Sequence, residues 1–196
     1  MLIYVLIYLK EVFIMEAIEC IKSRRSYRKY EEKAVPEELL AEVVEAARFA
    51  PSWKNSQTVR FHAVYDDDMR MKVAENCTLG HANNPKIISR APLLIVLSSV
   101  TKVAGYEPDG SFTTPHGSHW QSFDAGIAAE AFCLAAHAKG LCSVILGIFD
   151  PDKVKETIGL PDDQVVSALI AVGFPPEGDK KAPKLLEVSE LLTLHK

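Results

Sequence analysis

Several familiar catalytic and binding signatures are missing from this chain of 196 residues. No GxGxxG or GxxxxGK[ST] run occurs, which excludes the dinucleotide fingerprint and the P-loop. There is no GxSxG elbow and no HExxH pair, so neither a hydrolase nucleophile turn nor a helical zinc site is written here. His116 and His119 have no cysteine or carboxylate at metal spacing, and no metal is expected. The four cysteines, Cys20, Cys77, Cys133 and Cys142, form no CxxC pair and fit no zinc pattern. Cys133 lies in an apolar helical run and Cys142 beside an apolar strand, which reads as packed thiols in a reducing, cytoplasmic setting. Basic excess is also missing. A net charge of -4 argues against a nucleic-acid partner, though it leaves room for a local basic pocket. Internal repeats and low-complexity segments are absent.

No apolar run is long enough for a membrane span. Residues 1–9 are almost wholly apolar before Lys10 and Glu11 interrupt them. Nine residues make about 14 Å of helix against the roughly 30 Å of a bilayer core. They also lack the basic start and small-residue cleavage site of a signal peptide. Regular amphipathic patterning begins at Met15. Residues 1–14 therefore read as an extension of uncertain role, and residues 15–196 as one domain of a size that supports its own core.

What is present reads as alternating helices and strands. Residues 16–23 form a helical pattern with Ala17, Ile18, Cys20 and Ile21 inward. Pro36 opens a helix to about residue 50, with a stripe of Leu39, Leu40, Val43, Val44, Ala47 and Phe49. A strand is expected at 59–65, then a helix to 76 capped in the Asp66-Asp67-Asp68 triplet. Residues 93–100 read as a buried strand. The segment 101–117 holds three glycines and two prolines, and reads either as a flap over a pocket or as a disordered insertion. Residues 120–139 form the most apolar helix, expected to be buried from several sides at the centre of the molecule or of a dimer. Residues 143–149 read as an apolar strand interrupted by Gly147, which marks either a bulge or a place where something approaches the backbone. A helix from Pro151 to about 158 and a strand at 165–172 follow. The layout is a layered α+β domain with a small sheet between helices.

Within that frame Arg24-Arg25-Ser26-Tyr27-Arg28 stands out. Guanidinium is planar, permanently charged and forks onto two oxygens, which suits a phosphate or another planar anion. For a basic cluster alone, a solvated helix end is the default reading. Three further stretches change the balance: Ala50-Pro51-Ser52-Trp53-Lys54-Asn55-Ser56-Gln57, Phe123-Asp124-Ala125-Gly126-Ile127-Ala128-Ala129-Glu130, and Gly140-Leu141 with Leu146-Gly147-Ile148-Phe149.

In this order and spacing the four segments resemble the motif series of the nitroreductase family, across nearly the whole chain from Met15 onward. The resemblance implies a three-layer α+β fold, a small mixed but mainly antiparallel sheet flanked by helices, and a homodimer with FMN at each end of the interface. It implies that Arg24, Arg25, Ser26 and Arg28 hold FMN's phosphate, ribityl chain and pyrimidine edge. Pro51, Ser52, Trp53, Asn55 and Gln57 match the loop that reaches flavin, in many members from the partner subunit. Ile145, Leu146, Gly147 and Ile148 match the strand against one flavin face. Lys181 and Lys184, with Lys180, fall where the family places basic residues on the phosphate, and a solvated charge run is an equal reading for any one of them.

The activity implied is FMN-dependent hydride transfer from NAD(P)H through flavin N5 to a small-molecule acceptor, a nitroaromatic, quinone or similar compound, by ping-pong turnover. No side chain need be a nucleophile or general acid. Tyr106, Phe112, His119 and Trp120, with Trp53, are candidates for the acceptor pocket. Two departures bear on substrate preference. Thr58-Val59 stand where members often have Pro-Trp, and Ile145 where a tryptophan often precedes the glycine. The alternatives are a non-catalytic FMN-storing or FMN-sensing protein, and a flavoenzyme of the same fold with other chemistry, such as dehalogenation or flavin fragmentation.

Overall fold

In the computed structural model, which describes residues 16–178 and 180–196, four antiparallel strands form one sheet in the order β1-β2-β4-β3. They are β1 (Val59–Val64), β2 (Leu93–Val100), β3 (Cys142–Leu146) and β4 (Gln164–Gly173). The helices are α1 (Ala17–Ser23), α2 (Glu37–Ala47), α3 (Asp67–Asn76), α4 (Asn84–Arg90), α5 (His119–Ala138), α6 (Pro151–Ile158) and α7 (Val188–Leu191). The sequence signals at their starts act locally. Asp66 accepts from Met69 N–H at 2.7 Å, and Asp150 accepts from the N–H groups of Asp152 and Lys153 before Pro151.

The sheet is buried on both faces because side chains alternate along each strand. Leu93, Ile95 and Leu97 of β2 pack with α2 and α5, while Leu94 and Val96 pack with α3, α4 and α6. Strand β4 changes face midway. Val166 lies on the α3/α4/α6 side, whereas Ala168, Ile170 and Val172 lie on the other. The cause is a register shift opposite Leu97 and Ser98, where Ser167 is the extra residue. Three layers result, as expected, with the sheet in the middle.

Helix α5 carries the alanine-rich run. Ala125, Ala129, Phe132, Cys133 and Ala136 face the sheet, and Phe132 is fully buried against Phe61, ring centroids 5.3 Å apart. Within the single chain its burial is one-sided, with Phe123 59% exposed and Gly126 open, which counts against the centre of the molecule but not against the centre of a dimer. Helix α1 shows the same correction. Cys20 is buried, but Ala17 is exposed and Ile18 and Ile21 are 63% and 56% exposed, because no element among the described residues covers that face. Phe49 also departs from expectation. Helix α2 ends at Ala47, so the side chain falls beyond the buried stripe and is exposed. The apolar segment 1–14 lies outside the described residues.

The 101–117 stretch is folded. Tyr106 and Phe112 form an antiparallel bridge with rings 4.9 Å apart, and Thr113 N–H donates to Gly105 O at 3.0 Å. Gly105 has φ +85, and a Cβ there would come within 2.5 Å of the Gly117 carbonyl oxygen. Only glycine permits that fold-back.

Candidate functional site

The arginine cluster is set in place by the sheet. The chain leaving α1 runs along the open edge of β3, where Ser26 makes a parallel bridge to Ser143 and Tyr27 N–H donates to Ser143 O at 3.0 Å. That bridge spans more than a hundred residues of chain. It lays Arg24, Arg25, Ser26 and Arg28 beside the segment that carries Ile145, Leu146, Gly147 and Ile148. Two clefts open there. One, of about 780 Å³, is lined by Arg24, Arg25, Ser26, Arg28, Lys180 and Lys181 among others. The other, of about 410 Å³, is lined by Arg28, His81, Asn83, Lys86 and residues 144–148 among others. Arg28 is common to both.

Backbone contacts hold two of the cationic groups, Arg25 and Lys180, in place. Arg25 Nη1 donates to Lys22 O at 2.6 Å and to Arg24 O at 2.9 Å, while its buried Nε has no partner among the described residues. Lys180 donates to Ser26 O and lies over the Tyr27 ring at 5.0 Å. Burial, then the nearby Arg28, hold its ammonium below the usual lysine range. Arg24 pairs with Glu130 of α5 at 3.6 Å. Behind it the Ser23 hydroxyl donates to Glu19 O at 2.6 Å, so the 2.9 Å contact from His137 Nε2 requires the proton on that nitrogen. Burial, then Arg24 and Arg25, lower the His137 pKa.

Gly147 is not a bulge inside a strand. Strand β3 stops at Leu146, and the chain turns away because Asp150 N–H donates to Cys77 O at 2.7 Å and Asn84 Nδ2 donates to Ile148 O at 2.9 Å. A Cβ built on Gly147 would meet nothing within 4 Å, so its backbone faces open space. His81, Asn83, Asn84 and Lys86 were not singled out from the sequence. The only local signal was Asn-Pro before a short helix, which reads as a start signal rather than as a site. Of the tail lysines, Lys181 lines the cleft, whereas Lys184 is exposed and does not.

The amide-rich loop lies elsewhere in the same chain. Pro51, Ser52 and Gln57 line a cavity of about 310 Å³ between α2, β1 and α5, which shares no lining residue with the two basic clefts. Trp53 N–H donates to the buried Asp124 of α5 at 2.9 Å, and its ring packs on Trp120 with centroids 4.7 Å apart. Arg24 instead meets α5 at Glu130, six residues and about 9 Å further along the helix axis. The loop turns tightly. Lys54, Asn55 and Gln57 all have positive φ, and Gln57 N–H donates to Ser52 Oγ at 3.0 Å. Asn55 is exposed on that turn.

The acceptor-pocket candidates divide into two neighbouring groups. His119 and Trp120 line a small cavity with His116 and Phe123, while Tyr106 lines one with Trp53 and Phe112 packs on Tyr106. Lys54 joins the loop to the folded 101–117 segment through Glu107 at 3.5 Å. All four cysteines are buried and unpaired by disulfides, and burial pushes the Cys142 thiol up to about 12 and the Cys133 thiol upward. Those two thiols are not nucleophiles at neutral pH. Among the described residues no cluster of three metal-ligating side chains occurs, and no helix is long and apolar enough to cross a membrane.

A layered α+β domain with a basic double cleft at the edge of a four-stranded sheet is thus defined. The nitroreductase family model matches residues 21–174, and the chain belongs to the nitroreductase family. It is similar to the NADH dehydrogenase of Thermus thermophilus, 29% identical over 84% of this chain and 89% of that one. It is similar to the FMN reductase [NAD(P)H] of Bacillus subtilis, 28% identical over 87% of this chain and 70% of that one. The crystal structure of a nitroreductase family protein from Clostridium novyi superposes with a TM-score of 0.72, at 28% identity over 82% of this chain and 87% of that one.

Proposed function

We propose that the chain is an FMN-dependent NAD(P)H oxidoreductase that works as a homodimer. The observation that carries this reading is the Ser26–Ser143 bridge, which joins a large basic cleft to an open, glycine-walled one through Arg28. The donor set fits FMN. Arg24, Arg25, Ser26, Lys180 and Lys181 suit the phosphate, and the partnerless buried Nε of Arg25 is a donor still to be satisfied. Arg28 and Lys86 bring positive charge to the end of the cleft walled by Gly147 and Ile148, where Asn83 can bond ring oxygens. The relatives named as FMN reductase and NADH dehydrogenase support the same reading.

Bound FMN would supply the hydride- and electron-transfer chemistry between a reduced nicotinamide and an acceptor, and Arg28 and Lys86 would place positive charge where it favours the reduced ring. The chain's own residues bind and orient. Asn84 fixes the Ile148 carbonyl and so holds the glycine segment against the cleft. The distance between the amide loop and the basic clefts within one chain supports a second copy, whose Ser52–Gln57 loop would complete the cleft. The acceptor is a flat aromatic such as a nitroaromatic or a quinone, admitted after the oxidised nicotinamide leaves. The aromatic group of Trp53, Trp120, Tyr106 and Phe112 supports that class.

The test is the visible spectrum of the purified protein, then anaerobic addition of NADH and NADPH. A yellow protein bleached by either donor is expected. Flavin that binds but is not reduced would favour a storage or sensing protein, and a colourless protein that takes up no added FMN would end the reading. Arg24→Ala is expected to weaken FMN binding by about tenfold or more, followed by fluorescence titration, because a charged donor is lost.

A further inference from the structure

The two joined clefts hold an unusual share of the chain's positive charge. Nine of its 22 lysines and arginines line them and, among the described residues, no carboxylate does, although the chain as a whole is net negative. Glu130 offsets only Arg24. A flavin phosphate brings about two negative charges and a reduced ring one more, so several cations remain. Lys29 and Arg90 are the clearest surplus. Lys29 follows Arg28 on the extended link, and Arg90 lies one turn beyond Lys86 at the end of α4. Both are exposed on the outer cleft, and neither pairs with a carboxylate among the described residues. Like-charged side chains left facing one another in a cleft stand against folding unless an anion offsets them, and such a cleft concentrates anions from solution.

We propose that Lys29 and Arg90 form a selection rim for the electron donor, favouring the nicotinamide dinucleotide that carries an extra ribose 2′-phosphate over the one that lacks it. This inference rests on the flavin reading, and it names which donor the site takes. Both donors carry the diphosphate, so discrimination comes from the added phosphate. It brings about two more charges into a field that FMN leaves positive. Exposed pairs act within a Debye length of about 8 Å at physiological salt, so the preference should fall as salt rises.

The experiment compares the wild type with Lys29→Gln/Arg90→Gln, both loaded with FMN. The readouts are kcat/KM for NADPH and for NADH at low and high ionic strength. The wild type is expected to favour NADPH at low salt, and the double variant to lose that ratio by at least about fivefold with its FMN content unchanged. Calorimetry with adenosine 2′,5′-bisphosphate against adenosine 5′-monophosphate gives a readout that needs no turnover. The bisphosphate should bind more tightly to wild type only. An unchanged ratio, a wild type that favours NADH, or equal binding of the two nucleotides overturns the proposal. If the protein takes up no FMN yet still prefers the bisphosphate, the flavin reading falls and the rim stands.

Discussion

Asp124 is the buried acid that the loop rests on. It is 3% exposed, and its hydrogen bond among the described residues comes from Trp53 N–H. Burial raises its pKa, and the Trp53 bond opposes the shift only in part. The folded state therefore holds this proton at a pH where the unfolded chain has released it. Its unfavourable contribution grows as pH rises from the ordinary aspartate value of about 3.9 through the raised folded value, and is complete above that value. Asp124→Asn keeps an acceptor for Trp53 without the charge. Urea midpoints for this variant should exceed wild type at neutral pH, and the gain should disappear once both states of the wild type are protonated. A variant less stable at neutral pH would mean that the ionised bond outweighs the desolvation. The sequence showed Asp124 only as one letter of a helical motif. Its burial depends on a loop some seventy residues earlier, which no periodicity reports.

At the scale of elements, the end of β3 matters most. A Cβ at Gly147 would meet nothing within 4 Å among the described residues, and the glycine does not have a positive φ, so valine fits there without strain. Gly147→Val should melt within about 2 °C of wild type, as exposed substitutions do. It should bind FMN about tenfold more weakly or worse, since the added methyls occupy the open side of the cleft. Normal flavin content would remove Gly147 from the site. Most elements were readable in advance from local chemistry: strand β2, the capped starts of α3 and α6, and the alanine-rich α5. The misplaced strand end at Gly147 was not, because the bonds from Asp150 and Asn84 that turn the chain are tertiary.

For the whole molecule, the exposed apolar faces set the expectation. Ile18 and Ile21 on α1, Phe123 on α5, and Leu185, Leu186, Val188, Leu191, Leu192 and Leu194 in the tail are all open in the single chain. So much apolar surface calls for a covering partner, and in the proposed homodimer a second copy would both cover it and bring its Ser52–Gln57 loop to the cleft. Wild type should sediment as a dimer at micromolar concentration. Phe123→Glu should weaken that dimer by at least about thirtyfold, as loss of a central aromatic anchor does. An unchanged dimer by sedimentation velocity would take this face of α5 out of the interface.

The order of helices and strands, the caps, the buried β2 and the presence of four spaced motifs were decided by the sequence alone, because each depends on neighbours a few residues away. Only the tertiary structure decided which motifs meet. A backbone bridge between Ser26 and Ser143 at a sheet edge brings the arginines to the glycine segment and recruits Asn83 and Lys86 from α4 and the turn before it. The tryptophan loop, anchored on Asp124, is held away from them. Strand pairing joins residues by hydrogen bonds that ignore chain distance, so that arrangement leaves no periodic trace in the sequence.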